Sequence, residues 1–109
     1  MSETVWQVFT TTNSQAEAES IARTLVEQRL AAGVNISGPV QSTYRWQGQI
    51  ETDEEWRCTL KTLQSRYAEV EAATRRLHSY DEPEIVATEI IAGSASYLDW
   101  VRQECQEGE

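Results

Sequence analysis

From Val34 to Lys61 the chain carries strand-forming sequence over roughly 28 residues, doubled back once on itself. Val40, Ser42, Tyr44 and Trp46 fall on one face while Gln41, Thr43 and Arg45 fall on the other, the two-residue period that a pleated strand imposes. Gln47-Gly48 reads as a tight turn. Gln-Gly is weaker than Asn-Gly for this purpose, but the β-favouring residues on both sides support it. The return strand passes an acidic run, Glu51, Asp53, Glu54 and Glu55. It then sets Trp56, Cys58, Leu60 and Thr62 on one face and Glu55, Arg57, Thr59 and Lys61 on the other. Ser37-Gly38-Pro39 marks a turn or bulge in the outgoing strand. Such a hairpin is longer than a domain of 109 residues spans internally, so it is expected to project. A projecting, aromatic-bearing hairpin invites pairing with another subunit.

The remaining elements limit how that hairpin is anchored. Val5-Trp6-Gln7-Val8-Phe9-Thr10-Thr11 predicts a first strand, with apolar positions that suit cover on both faces. Ser14-Gln15-Ala16-Glu17 predicts a capping box, serine and glutamate each satisfying the other's backbone N–H, at the start of a helix. Ala18, Ile21, Ala22, Leu25 and Leu30 keep the spacing of one helical face, and Gly33 supplies the backbone freedom that ends it. A second helix is predicted over Gln64 to His78, with Tyr67, Val70, Thr74 and Leu77 on one face and Arg75, Arg76 and His78 complementing its dipole. Pro83 imposes an extended residue before it and cannot donate to a ladder, so it introduces a last strand, Glu84 to Ile91. Ser96 with Asp99 predicts the cap of a short helix through Cys105, and the tail from Gln106 to Glu109 is expected to fray.

This order predicts an α+β fold, the ferredoxin-like βαββαβ arrangement. It has an antiparallel sheet, two helices on one face, an extended central hairpin and a C-terminal helix. Residues 1–109 form one domain with an ordered core of about residues 4–104. The formal charge of −9 argues against nucleic acid or an anionic membrane as the main partner and favours cations and basic partners. No apolar run is long enough to span a bilayer, and the N-terminal residues lack a basic segment followed by an apolar one, so a cytoplasmic location is expected. Two cysteines, Cys58 and Cys105, make neither a disulfide framework nor a Cys-x-x-Cys pair. No Ser/His/Asp set, phosphate loop or paired acid and base stands at a recognisable spacing, so binding rather than catalysis is expected.

Several stretches carry a resemblance in the right order along nearly the whole chain, from about Val5 to Val101. They are Thr10-Thr11, Arg29-Leu30-Ala31-Ala32 followed by Val34-Asn35-Ile36, Tyr44-Arg45-Trp46-Gln47-Gly48-Gln49-Ile50-Glu51, Lys61-Thr62, His78 through Ile85, and Tyr97-Leu98-Asp99-Trp100. Together they resemble the CutA family of divalent-cation-tolerance proteins. The resemblance implies a tight homotrimer in which the extended hairpins pair between neighbours. That architecture is similar to the one used by the nitrogen-signalling PII proteins, which take small ligands between subunits. It also implies a link to tolerance of copper and other divalent ions, with no required cofactor and no defined enzymatic reaction. This sequence departs from the family pattern at Gly33, where many members have cysteine, and at Ser79, where proline is usual. The first change removes the soft ligand best suited to Cu(I).

Candidate site residues follow from both readings. His78, the only histidine, is a candidate metal ligand with Asp81, Glu82 or, first among them, Glu84 supplying oxygens, or a helix-terminal imidazole that shapes the loop; one histidine alone makes no high-affinity tetrahedral site. Tyr44 and Trp46 serve subunit packing or form the wall of a cleft between subunits. Lys61 makes an inter-strand salt bridge or holds an anionic ligand. These five residues, Tyr44, Trp46, Lys61, His78 and Glu84, form the expected ligand cleft. The acidic run Glu51 to Glu55 reads as a solvated edge or an attraction for Ca²⁺ or Mg²⁺ without an EF-hand pattern. Cys58 is expected in the core.

Overall fold

The computed structural model describes residues 3–106. The chain runs β1 (Val5–Thr12), α1 (Gln15–Glu27), β2 (Gly33–Trp46) and β3 (Gln49–Leu63). A single 3-10 turn (Gln64–Arg66) then leads into α2 (Tyr67–Leu77), β4 (Val86–Glu89) and α3 (Ala95–Glu104). The four strands lie in the order β2-β3-β1-β4, and every neighbouring pair is antiparallel. This is the expected ferredoxin-like arrangement with an added C-terminal helix. Among the described residues no helix is long and apolar enough to cross a membrane. The expected fraying of the tail beyond Gln106 lies outside the described residues.

Two apolar clusters hold the body. Val8 and Leu60 from the sheet meet Ile21, Leu25, Val70 and Ala73 from α1 and α2, with Leu30 and Ala31 closing the end. Val5, Ala32 and Leu63 meet Val101 and Cys105 beneath α3. Since Val8 and Leu60 face the two long helices, alternation turns Gln7, Phe9, Thr59 and Lys61 to the opposite face. Among the described residues only α3 supplies cover there, over the end that holds Val5 and Leu63.

The ends of elements differ from expectation for identifiable reasons. Helix α1 stops at Glu27, well before Gly33. Arg29 takes the left-handed conformation (φ 59°), its N–H donates to Val26 O at 3.0 Å, and the Leu30 N–H donates to Leu25 O at 2.9 Å. This is a Schellman closure with arginine where glycine is usual. Leu25 and Leu30 join the same apolar cluster, and the Arg29 guanidinium donates to the Glu104 carbonyl at 3.1 Å. Gly33 therefore opens β2. The second helix begins as the 3-10 turn and becomes α-helical only at Tyr67. Helix α3 is capped by Ser94, whose Oγ accepts the Tyr97 N–H at 3.3 Å, and Asp99 pairs instead with Arg102 at 2.7 Å. Strand β4 is four residues long, shorter than Glu84 to Ile91, because Pro83 and the residues before Val86 belong to the preceding loop.

The central hairpin has the expected form. Gln47 (φ 52°) and Gly48 (φ 83°) both sit at positive φ, as a primed two-residue turn requires. The register slips between Ser37 and Val40. At this bulge a Cβ on Gly38 would stand 2.6 Å from Trp56 Cδ1, so the indole lies where any side chain would be. Strand β1 pairs with β3 only over Trp56 to Leu63. The outer arms, Val40–Trp46 and Gln49–Glu55, thus leave the four-stranded body, in a chain whose longest extent is 47 Å.

Candidate functional site

The outer hairpin and the loop between α2 and β4 enclose the candidate site, and the loop's path is set by residues beneath it. Helix α2 ends at Leu77, and His78 turns to extended backbone (φ −83°, ψ 143°). Its imidazole is fully covered. Nε2 lies 2.8 Å from the Thr11 carbonyl oxygen and 3.3 Å from Thr10 Oγ1, while the Tyr80 N–H donates to Nδ1 at 3.3 Å. The Thr11 carbonyl can only accept, so Nε2 donates to it, while Nδ1 faces the Tyr80 N–H and, at 3.6 Å, the Glu17 carboxylate. Glu17 completes the clamp from α1. Its N–H donates to Ser14 Oγ at 3.1 Å, as a capping box predicts. Its carboxylate, however, leaves the cap and accepts from Ser79 N–H at 2.6 Å and Ser79 Oγ at 2.9 Å. The expected return bond to Ser14 is replaced by a bond to the functional loop.

Over this base stands Tyr80. Its ring lies 4.9 Å from that of His78, and its hydroxyl donates to Glu55 Oε2 at 2.7 Å. Burial, and then the bond to Glu55, push its phenol far above the ordinary tyrosine range. Tyr44 makes a parallel pair farther out, donating to Asp53 Oδ2. That bond is the main reason its phenol is pushed up to about 12. Both tyrosines are therefore protonated donors at neutral pH, with their hydroxyls committed to carboxylates.

The result is an open cleft of about 630 Å³. Its hairpin wall carries Tyr44, Trp46, Glu55 and Arg57, and its loop wall carries Tyr80, Asp81, Glu82 and Glu84. Of the five residues expected to form a cleft, Tyr44, Trp46 and Glu84 line it together. His78 lies beneath it, behind Tyr80. Lys61 lies elsewhere, paired in register with Gln7 and Gly33, four residues along β3 from Arg57 and toward the α3 end. Sequence reasoning passed over Glu17, Arg57 and Tyr80 as site residues, and weighed Glu55 only within the acidic run. Tyr80 stood in plain view in the acidic loop, whereas Glu17 satisfied a capping pattern so well that no other use was signalled.

The lining decides what chemistry is available. The carboxylate, hydroxyl and amide groups of the cleft offer only oxygen acceptors, with one guanidinium. Among the described residues no three His, Cys, Asp or Glu gather closely enough to hold a metal ion. His78 has both ring nitrogens engaged, and Cys58 and Cys105 are buried in the core. Burial, reinforced by Glu17, pushes the Cys58 thiol up to about 11, far from the thiolate that binds metal. The described residues of this chain therefore do not fit a resident metal centre.

Comparison with known proteins agrees with the fold. The sequence profile of the family described as CutA1 divalent ion tolerance protein matches residues 6–104. The divalent-cation tolerance protein CutA of Thermus thermophilus is 43% identical over 96 residues, 88% of this chain and 93% of that protein. Protein CutA of Homo sapiens is 39% identical over 95 residues, 87% of this chain but 53% of the human one. The solved structure of a divalent cation tolerance protein from Thermus thermophilus superposes with a TM-score of 0.91 at 40% identity, covering 94% of this chain and 99% of that one. A match over this length, in sequence and in backbone alike, means that the chain belongs to the CutA1 family of divalent ion tolerance proteins.

Proposed function

We propose that this protein acts as a homotrimer in divalent-cation tolerance, copper among the ions, and that each subunit meets those ions weakly. The observation that carries the reading is a subunit that leaves its assembly surfaces open. One sheet face has a helix over only one end, the hairpin arms leave the body with Tyr44, Trp46 and Ile50 exposed, and Val86 on the opposite edge strand and Ile91 just past it are exposed too, Ile91 at 91%. Exposed strand and apolar surface of this kind is ordinarily covered by another chain. A closed ring lets every hairpin reach a neighbour without leaving one end unpaired. Support for weak ion binding comes from a covered imidazole, two buried thiols and, among the described residues, carboxylates that do not converge.

Calorimetric titration with Cu²⁺ tests the ion part. The wild type is expected to bind weakly, and His78→Gln, which keeps an amide donor for the Thr11 carbonyl, is expected to bind equally well. A tight stoichiometric site that disappears in His78→Gln would reject the reading. A second reading, a small-ligand sensor of the PII kind, is favoured by one observation. The cleft is large enough for an organic molecule, and its walls come from the hairpin and loop that an assembly would bring near a neighbour.

A further inference from the structure

We propose that His78 is a proton switch for the loop that walls the cleft. A proton gained at Nδ1 moves the imidazole's bond from the Tyr80 backbone to the Glu17 carboxylate, and so releases the loop at Ser79 and Tyr80. The His78 side chain is fully covered, so a change in its charge has to be answered by the protein groups around it. Nε2 is committed as a donor to the Thr11 carbonyl at 2.8 Å. Only Nδ1 is left to gain or lose a proton. It faces a donor and an acceptor at once, the Tyr80 N–H at 3.3 Å and Glu17 Oε2 at 3.6 Å. The neutral ring accepts from Tyr80. The charged ring has no lone pair at Nδ1, sets one N–H against another there, and pairs with the carboxylate instead.

The second observation is that both partners already hold the loop. Glu17 Oε2 accepts the Ser79 N–H at 2.6 Å, and Oε1 accepts the Ser79 hydroxyl at 2.9 Å. A carboxylate drawn toward Nδ1 loosens that hold. Tyr80 loses the acceptor of its N–H, and its hydroxyl is the bond that ties the loop to Glu55 on the hairpin. Among the described residues no other group balances an imidazolium here. Strand β1 presents Thr10 and Thr11, which do not titrate. Cys58, opposite Thr10 on β3, keeps its proton, because burial and Glu17 push its thiol up to about 11. Burial and the bond to Glu55 do the same for the Tyr80 phenol. Arg75 and Arg76 near the end of α2 are exposed, and Asp81, Glu82 and Glu84 line the cleft, which His78 does not. The switch goes beyond both readings of function, since it needs neither an ion nor a ligand and every group in it belongs to one chain.

His78 is the only histidine, so the ring nitrogen signals of protein carrying isotope-labelled histidine need no assignment. On the native protein, taken from about pH 8 to about pH 5, they are expected to show Nε2 protonated throughout and Nδ1 gaining its proton as pH falls. Protection of the Ser79 and Tyr80 amides, corrected for the intrinsic pH dependence of exchange, is expected to fall severalfold at the same midpoint. His78→Gln is expected to erase that fall. Glu17→Gln, which keeps an acceptor for Ser79, is expected to lower the midpoint of the ring, because the imidazolium loses its counter-charge; a role confined to shaping the loop would leave the midpoint in place. Should His78→Gln fail to fold, the midpoint in Glu17→Gln decides. A proton on Nδ1 at the high-pH end, a ring that does not titrate over this range, or loop amides whose protection stays level through the titration overturns the proposal. Particle mass is measured at each pH. Protection that falls only where the mass falls assigns the change to disassembly and also overturns it. A monomer that keeps the response overturns the assembly alone.

Discussion

The Glu17 carboxylate reaches a residue 62 positions along the chain to hold the backbone N–H and the hydroxyl of Ser79. Hydrogen bonds to a charged acceptor stabilise by about 1.5–3 kcal/mol, and these hold the loop that carries Tyr80 to Glu55. Glu17→Ala is expected to cost stability in that range, read by denaturant unfolding at fixed protein concentration. It should also raise amide hydrogen exchange at Ser79 and Tyr80 above the wild type. A variant with wild-type exchange in the loop would show that His78 alone sets the loop's path. At this scale the sequence was partly legible. The chemistry of the stretch from His78 to Glu84 was visible as a density of acids, a phenol and an imidazole, but its arrangement was not. Sequence spacing shows that Glu17 can cap α1. Only the packing of α1 beside the end of α2 shows that its carboxylate has a better partner. Lys61 shares strand parity with Glu55 and Arg57, but its distance from Trp46 along the sheet of one chain is a property of register that parity does not carry.

At the scale of elements, the hairpin was the most legible feature because its signals are local. Alternation gave the faces, Gln47-Gly48 gave the turn, and Ser37-Gly38-Pro39 gave the bulge. The physical content of the bulge came only with the structure, in the close approach of the Trp56 indole to Gly38. Gly38→Ala forces the indole or the backbone to move. It is expected to cost about 1–3 kcal/mol, the range for overpacking a well-filled site. Thermal unfolding measures it, and a near-UV signal from displaced Trp56 should accompany the loss. An unchanged melting temperature would mean that the bulge adjusts freely. Element ends were the least legible. Arg29 closes α1 in a conformation that costs an L-residue roughly 1–2 kcal/mol, and burial of Leu30 against Leu25 offsets it. No pattern around Gly33 reveals that balance. The cap of α3 likewise fell two residues early, at Ser94, because two serines offer nearly the same local signal.

For the whole molecule, the architecture was legible because the order of strands and helices leaves few ways to build one sheet, and family resemblance and backbone agree with it. What a single chain leaves uncovered then becomes the strongest statement about function. A subunit with one sheet face short of cover, a projecting hairpin and exposed Val86, Ile91 and Trp46 is suited to completion by copies of itself. The cleft lies between the hairpin and the loop of one chain, which such an assembly would bring near a neighbour. Among the described residues no group of side chains converges on a metal ion, so function is expected to rest on assembly and not on a tight metal site. Sedimentation velocity at micromolar concentration, on protein purified without chelators, measures this most directly. The predicted result is a single boundary at three times the subunit mass that persists on dilution; a stable monomer across that range would contradict it.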